Sequence, residues 1–246
     1  MKVVAIVQAR MGSVRLPKKV LKPITGRPMI ELLLNRLSKS KELSDIVVAT
    51  SNRTENNELE TLIQALGFKC TRGSEHDVLS RFYESAKSCQ ADVVVRITGD
   101  CPLVDPELVD KCVREYIKND IDYFSNIDPV TYPDGLDIEV FSFECLKRAY
   151  QDASSKYDRE HVTTYIRNSE AFMKSSIQNS TDLSEQRWSV DEPEDLKLIR
   201  NIFEYFAPDI YFSWNRVSEL LTSKPELFKI NKSIKNNEGS IMGTGQ

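Results

Sequence analysis

The chain contains few of the residues that build zinc or disulfide sites, with two histidines and five cysteines among 246 residues. The cysteines are odd in number and show no CxxC spacing, which argues against a zinc site and predicts reduced, mostly buried thiols. Cys101, beside Asp100, is a candidate nucleophile. The longest apolar runs are too short to span a bilayer, and the opening MKVVAIVQAR is too short for a secretory signal. We therefore expect a cytoplasmic protein without membrane contacts.

Acidic residues are absent from residues 1–30, which carry seven basic residues, although the whole chain has a formal net charge of −4. A cationic segment in an acidic protein suggests a localised site for a small polyanion, not a nucleic-acid-binding face. A solvated basic loop explains the charge equally well. The sequence also lacks GxGxxG after its first strand and GxxxxGK[ST] anywhere, which excludes a standard dinucleotide fold and a P-loop NTPase.

Short β-branched runs alternate with amphipathic helical patterns over the first half of the chain. This rhythm predicts a single three-layer α/β domain with a mixed sheet that is parallel at its centre. Ligands of such sheets bind at the carboxyl ends of the strands. Thr54 is a predicted N-cap, Gly67 a C-cap, and Asp105-Pro106 a helix start. The predicted strands are 3–8, 46–50, 68–71, 92–98 and 122–126, and the predicted helices are about 28–38, 54–66, 77–88 and 106–119.

The rhythm changes after about residue 125. Residues 137–142 (DIEVFS) alternate acidic and apolar side chains, as a half-exposed antiparallel strand does. Helices at about 143–153 and 159–168, strands near 172–177 and 186–190, and a helix from about 193 complete the predicted domain, residues 1–228. Residues 229–246 are predicted to form a final helix and a loosely held polar tail.

A basic loop, residues 9–28 (ARMGSVRLPKKVLKPITGRP), follows the first strand. A triphosphate needs backbone N–H donors and fixed cations, and a turn around Gly12 and Ser13 supplies the former. Arg15 can grip phosphate oxygens bidentately, and Lys19 can act on them as a point charge. Ala9 and Arg10 begin this candidate nucleotide-binding loop.

The loop resembles the signature of bacterial sugar-acid cytidylyltransferases, approximately ARxGSxRLPxKxL followed by GxP. A closer resemblance is to the spore-coat polysaccharide biosynthesis protein F family, related to acylneuraminate and 3-deoxy-manno-octulosonate cytidylyltransferases. It implies a Rossmann-like nucleotidyltransferase fold with a β-ribbon extension, CTP as substrate and Mg²⁺ as cofactor. Lys18 departs from the pattern, since a small residue, usually Gly, is common there. The segments that carry the closer resemblance are RGSEHDVLSRFYES from residue 72, TGDCPLVDP from 98, YPDGLDIEVFSFECLKRA from 132, DREHVTTYIR from 158 and VDEPEDL from 190.

Two aspartates are the predicted metal ligands. Asp100 lies at the exit of the strand ending at residue 98, where a carboxylate faces the ligand crevice. The resemblance makes Asp100 and Asp191 the Mg²⁺ ligands. The alternatives are structural, because Asp100 can cap a turn, and Asp191 with Glu194 has the spacing of a capping box.

Further residues are candidates for contact with the acceptor or the base. For the acceptor, the resemblance suggests Asp134, Asp137 and Glu139, and the side-chain chemistry suggests Arg159 and His161. For the base, the position after the third strand suggests Arg72 and Ser74. Each group also has a structural alternative. Pro133-Asp134-Gly135 can form a hairpin turn, Asp158 or Glu160 can form a helix-surface salt bridge with a neighbouring arginine, and Ser74 or Asp77 can be a helix N-cap.

We therefore predict a Mg²⁺-dependent enzyme that transfers CMP from CTP to a sugar acid or other small acidic acceptor and releases pyrophosphate, in surface polysaccharide or glycoconjugate biosynthesis. A nucleotide-diphosphate-sugar glycosyltransferase would show an Asp-x-Asp motif, whereas Asp100 is followed by Cys101-Pro102. A non-catalytic nucleotide-binding module is the other alternative. Apolar side chains on residues 137–142 lead us to expect a homodimer joined through residues 125–145.

Overall fold

A seven-stranded sheet forms the centre of the protein, for which a computed structural model describes residues 1–234. The strands are β1 (Val3–Gln8), β2 (Pro23–Ile24), β3 (Arg27–Pro28), β4 (Asp45–Ser51), β5 (Lys69–Gly73), β6 (Val93–Thr98), β7 (Tyr123–Ser125), β8 (Glu139–Ser142) and β9 (Lys174–Ser176). Their order is β5-β4-β1-β6-β8-β7-β9, with β2 and β3 in a separate two-stranded ribbon. The strands from β5 to β6 pair in parallel, and β8 runs antiparallel to both of its neighbours.

Helices cover both faces of this sheet. They are α1 (Met29–Leu37), α2 (Asn57–Ala65), α3 (Val78–Ser88), α4 (Pro106–Lys118), α5 (Phe143–Asp152), α6 (Lys156–His161), α7 (Thr164–Asn168), α8 (Pro193–Phe206), α9 (Trp214–Ser223) and α10 (Pro225–Phe228). Since side chains alternate along a strand, Ala5 of β1 belongs to the apolar cluster that includes residues of α1, α2, α4, α8 and α9, whereas Ile6 belongs to the cluster that includes residues of α3, α5 and α7. The predicted three-layer α/β fold with a mixed, centrally parallel sheet is confirmed.

Several helix ends follow the predicted signals. The Asp105 carboxylate accepts hydrogen bonds from the amides of Glu107 and Leu108, and Gly67 adopts a positive φ of 83° just after α2. The Thr54 N-cap is wrong, because Thr54 begins a 3₁₀ turn and α2 starts at Asn57 without a side-chain cap.

Two segments in the second half differ from the prediction. The helix expected at 159–168 is divided between α6 and α7, which meet at Val162. The strand expected at 186–190 is a loop, in which Arg187 forms an isolated β-bridge with Asp134.

The ribbon predicted at residues 137–142 lies inside the sheet. Its strand β8 is between β6 and β7, and Val140 and Phe141 are fully buried within the subunit. Glu139 therefore faces Arg96 of β6, and the apolar residues of the strand do not form an exposed edge. This removes the basis for an interface through this strand, and the homodimer stays a prediction.

The C-terminal part is only partly described. Residues 229–234 form turns after α10, and Asn231 is 3% exposed, with its amide nitrogen donating to the Arg187 carbonyl and the Asp195 carboxylate. The rest of the predicted helix and tail, residues 235–246, lies outside the described residues. In the part of the chain that the structure describes, no helix has the length and apolarity to cross a membrane.

Candidate active site

The basic loop leaves the carboxyl end of β1 and is fixed by a buried asparagine. Asn56, with no exposed surface, accepts a hydrogen bond from the Met11 amide at 2.9 Å. The Met11 carbonyl accepts from the amides of Ser13 and Lys18, which closes a tight turn. A Cβ at Gly12 would lie 2.9 Å from a carboxylate oxygen at the end of the exposed Glu55 side chain, which could move aside.

The backbone at Lys18 explains why a small residue, usually Gly, is common at this position. Its φ of 56° and ψ of 29° lie in the left-handed region that glycine adopts without strain. The Lys18 ammonium contacts Glu58 at 2.8 Å, which directs the side chain toward α2. Lys18 is therefore a turn residue and does not line the cavity of the site.

Lys19 links the two predicted metal ligands. Its Nζ lies 2.7 Å from Asp100 Oδ2 and 2.7 Å from Asp191 Oδ1. Burial alone would lower the pKa of Lys19, but the two carboxylates raise it to about 12. Burial alone would raise the pKa of Asp100, but the ammonium holds it at about 2. The loop, the exit of β6 and the segment before α8 thus meet at a charged cluster.

Close backbone contact holds Asp100 beside the loop. The Gly99 amide donates to the Gln8 carbonyl at 2.8 Å, and a Cβ at Gly99 would lie 2.8 Å from both that oxygen and the Cβ of Ala9. The exits of β1 and β6 can approach this closely because residue 99 has no side chain.

The capping box predicted from Asp191 and Glu194 is displaced by one residue. Glu192 is the N-cap of α8, and it exchanges hydrogen bonds with Asp195. The Asp191 carboxylate is not needed for the cap and instead contacts three cations, Lys19, Arg187 at 2.9 Å and Arg15 at 3.2 Å. Asp191 is therefore free of the structural role that the sequence left open.

The donor set around Lys19 fits a magnesium ion that is completed by substrate. No group of three or more His, Cys, Asp or Glu suited to a metal occurs in residues 1–234. Mg²⁺, however, is commonly held by one or two carboxylates together with phosphate oxygens and water. Asp100 and Asp191 supply two such carboxylates, already converging on one cation, the Lys19 ammonium.

A cavity of about 870 Å³ extends from the loop along the carboxyl ends of β1 and β6 to α6 and α7. Many of its walls are polar, which suits a charged ligand. The predicted residues that line it are Ala9, Arg10, Gly12, Ser13, Arg15, Lys19, Asp100, Asp134, Asp137, His161 and Asp191.

Two carboxylates on the turn before β8 face this cavity. Asp134 accepts a hydrogen bond from the Ser189 hydroxyl at 2.9 Å and lies 3.6 Å from Arg187. Burial raises the pKa of Asp134. Burial, reinforced by Asp134 and Glu139, raises the pKa of Asp137 to about 7. Asp137 can therefore exchange a proton near neutral pH.

Glu139 does not reach the cavity, contrary to its predicted contact with the acceptor. It is 1% exposed, and its carboxylate is paired with Arg96 and accepts hydrogen bonds from Tyr123 and Thr163. Every oxygen of Glu139 thus has a partner inside the protein. Its position supports Arg96, which does line the cavity.

Three other candidates also lie outside the cavity lining. Arg72 donates to the carbonyls of residues 51 and 53 and to the side chains of Asn57 and Glu60. Arg159 forms a bidentate pair with Asp77, and Ser74 accepts from the Asp77 amide. These contacts join helices and strands to one another. The structural alternatives therefore explain these residues better than ligand binding does.

Four arginines on the cavity wall were not predicted from the sequence: Arg81, Arg96, Arg167 and Arg187. Arg187 is 4% exposed and contacts Asp134, Asp191 and Asp195. An arginine inside an otherwise apolar strand, as Arg96 is within VVVRIT, was the available signal, because a buried charge needs a partner or a ligand.

Cys101 is not an activated nucleophile. It is 4% exposed, and its Sγ lies 2.9 Å from the Thr98 hydroxyl. Burial and the neighbouring Asp100 raise the pKa of the thiol well above its usual range, so the sulfur stays protonated. All five cysteines are free, and four of them are buried, as predicted.

The sequence pattern of the cytidylyltransferase family matches residues 4–216. The chain belongs to the cytidylyltransferase family. It is 32% identical to the spore coat polysaccharide biosynthesis protein SpsF of Bacillus subtilis, over 88% of this chain and 91% of that one. It is 40% identical to an uncharacterized protein of Methanocaldococcus jannaschii, over 96% of each chain.

A solved structure extends this likeness to three dimensions. A cytidylyltransferase from Leptospira borgpetersenii superposes with a TM-score of 0.89 at 32% identity, covering 93% of this chain and 97% of that one. The predicted family is confirmed, and with it a nucleotidyltransferase enzyme. The charged cluster around Lys19 marks the candidate active site, at the carboxyl ends of β1 and β6.

Proposed function

We propose that this cytidylyltransferase transfers CMP from CTP to a sugar acid or other small acidic acceptor and releases pyrophosphate, with Mg²⁺ as cofactor. The observation that carries the proposal is the convergence of Asp100 and Asp191 on one cation beside the basic loop. This is the arrangement that a reaction on a triphosphate needs, because such reactions depend on positioning and on charge stabilisation.

The residues of the loop bind and orient the triphosphate in this proposal. Arg15, which is 38% exposed, can exchange its contacts with Asp191 and Glu192 for contacts with phosphate oxygens. The Lys19 ammonium can stabilise the negative charge that develops on the pyrophosphate leaving group. A magnesium ion held by Asp100 and Asp191 would polarise the phosphate and align it with the acceptor. Asp137 lies in the same cavity, and its pKa of about 7 suits it to accept the proton of the attacking hydroxyl.

The spore coat polysaccharide relative supports a place in surface polysaccharide or glycoconjugate biosynthesis. Free thiols are typical of a reducing compartment, which supports the cytoplasm as the site of reaction. A homodimer remains part of the proposal, with its interface unassigned.

Nucleotide choice is tested by calorimetry with CTP, ATP and GTP in the presence of Mg²⁺. We expect CTP to bind most tightly. A purine triphosphate that binds on the order of tenfold better would refute the cytidylyl assignment and leave the reaction class open.

The reaction is tested by pyrophosphate release from CTP with a small-molecule extract of the source organism, followed by mass spectrometry of the products. We expect a new CMP conjugate that forms only with Mg²⁺. Consumption of a nucleotide-diphosphate sugar instead would indicate a glycosyltransferase, and CTP binding without any product would indicate a binding module.

A further inference from the structure

Two arginines face the cavity at the end away from the loop. Arg96 lies on β6 and Arg167 on α7, and both line the cavity together with His161, Thr163 and Thr164. This wall is built from β6, α6, α7 and the turn between the two helices, whereas Arg15 and Lys19 belong to the loop after β1. It is therefore separate from the cations that we assign to the triphosphate.

Both guanidinium groups have donors without partners. The Nε atoms of Arg96 and Arg167 are buried and form no hydrogen bond with any residue in the described range 1–234. Among those same residues, no hydrogen bond or ion pair is formed by the Arg167 guanidinium. Buried N–H donors of charged groups are costly when they lack an acceptor, so an acceptor is expected from a ligand or from ordered water.

The Glu139 carboxylate pairs with Arg96 but not with Arg167. Its two oxygens accept from Arg96, Tyr123 and Thr163. Burial alone would raise the pKa of Glu139, but Arg96, the two hydroxyls and, last, Arg167 lower it, and Arg167 does so through space without direct contact. Glu139 is thus paired with Arg96, and the Arg167 guanidinium has no direct acceptor among residues 1–234.

Backbone strain also marks this wall. Val162, between α6 and α7, has φ 65° and ψ −60°, and the Thr163 amide donates to the His161 carbonyl at 2.7 Å. This is a γ-turn of the rare, strained type, here centred on a β-branched residue that is fully buried. Such strain persists where the surrounding fold requires it, and it is found most often at functional sites. Here it turns the chain so that His161 and Arg167 face the same cavity.

We propose that Arg167 and Arg96 form an oxyanion subsite that binds the acidic group of the acceptor. This inference rests on the proposed function and specifies it: the acceptor carries a carboxylate or a phosphonate in addition to its reacting hydroxyl. Arginine suits both groups, because its planar fork donates two parallel hydrogen bonds to such oxyanions.

The subsite is tested with the full-length protein saturated with CTP and Mg²⁺, so that the basic loop is already occupied. Pyruvate and methylphosphonate are titrated as separate probes and detected by saturation-transfer NMR and calorimetry. The variants are Arg167→Gln, Arg167→Lys and, as control, Arg148→Gln, which changes an arginine that is 52% exposed on α5 and does not line the cavity. Thermal melting verifies that each variant is folded.

We expect one probe to bind the wild type and the control equally. Arg167→Gln should weaken that probe on the order of tenfold, Arg167→Lys should weaken it less, and CTP affinity should not change. The probe that binds identifies the oxyanion as carboxylate or phosphonate. Equal binding to Arg167→Gln, or no binding of either probe to the wild type, overturns the subsite. If the wild type fails to bind CTP, the proposed function fails separately, and titration of the probes without nucleotide still tests the subsite.

Discussion

Asp191 and Asp195 lie four residues apart and both contact Arg187, but their surroundings differ and suggest a catalytic role for Asp191 and a structural role for Asp195. Asp195 has no exposed surface and accepts from Arg187 Nε, from the Asn231 side chain and from two backbone amides at the start of α8. Asp191 is 23% exposed and meets Lys19 inside the cavity. Replacing each by asparagine separates a catalytic role from a structural one.

We expect Asp191→Asn to cost little stability. Arg187 keeps Asp195 and Lys19 keeps Asp100, so no buried cation loses every partner. The loss of charge-assisted hydrogen bonds is about 1 to 2 kcal/mol. For a chain of this length, that lowers the melting temperature by about 2 to 8 °C. Turnover should fall on the order of a hundredfold or more, as when one main electrostatic partner of a transition state is removed.

The opposite result is expected for Asp195→Asn. This change breaks a buried ion pair and the capping box, which costs about 3 to 5 kcal/mol. The melting temperature should fall by about 6 to 20 °C. Turnover per folded molecule, measured below the transition, should stay within a few-fold of the wild type because Asp195 does not line the cavity.

The assay combines thermal unfolding with pyrophosphate release under identical buffer conditions. If Asp191→Asn melts as low as Asp195→Asn and keeps its turnover, Asp191 is a structural residue. The metal would then need another second ligand, and the proposed mechanism would lose its main support.

Three further outcomes are expected. Because Lys19 holds the pKa of Asp100 at about 2, the pair stabilises the fold above pH 3.8, and this stabilisation is lost as the pH falls toward 2. Urea unfolding at a series of pH values should therefore show that acid lowers the free energy of unfolding by about 2 kcal/mol more in the wild type than in Asp100→Asn. Parallel plots of that free energy against pH for the two proteins would contradict the pairing. Gly99→Ala should force the exits of β1 and β6 apart, at a cost of about 1 to 3 kcal/mol and with reduced turnover, and an unchanged melting temperature would count against that close approach. Val140→Asp should prevent folding, as measured by circular dichroism, because it places a charge at a fully buried position. A variant that is folded and has the mass of one chain in light scattering would instead support the predicted dimer interface at β8.

Local sequence patterns predicted a phosphate-binding loop and the carboxylate at the end of β6. The loop residues, the carboxylate at the exit of β6 and the α/β rhythm follow from spacing and from the geometry of parallel sheets. Arg15, Lys19 and Asp100 meet because the carboxyl ends of β1 and β6 share one edge of the sheet, whereas Asp191, which only the resemblance implied, reaches them from the loop before α8.

The roles of the arginines could not be predicted in the same way. In the sequence alone, Arg72, Arg159 and Arg167 are equally suitable for binding a ligand, because each lies beside polar residues. What differs is the supply of acceptors: the guanidinium of Arg159 meets Asp77, 82 residues away in sequence, whereas that of Arg167 meets no acceptor in residues 1–234. Such pairings depend on tertiary contacts, which no local pattern contains.

The pattern DIEVFS shows how an alternation can be correct in period and wrong in environment. Its period of two did identify a strand, but the same period arises whether the acidic face meets water or a buried cation. Arg96 on the adjacent strand decides the matter, because it pairs in register with Glu139 and takes that carboxylate out of solvent. A lone arginine in VVVRIT and a lone glutamate in IEVF are each costly to bury, but together they satisfy one another. The complementary charges of Arg96 and Glu139 were therefore the signal that β8 pairs with β6 inside the sheet.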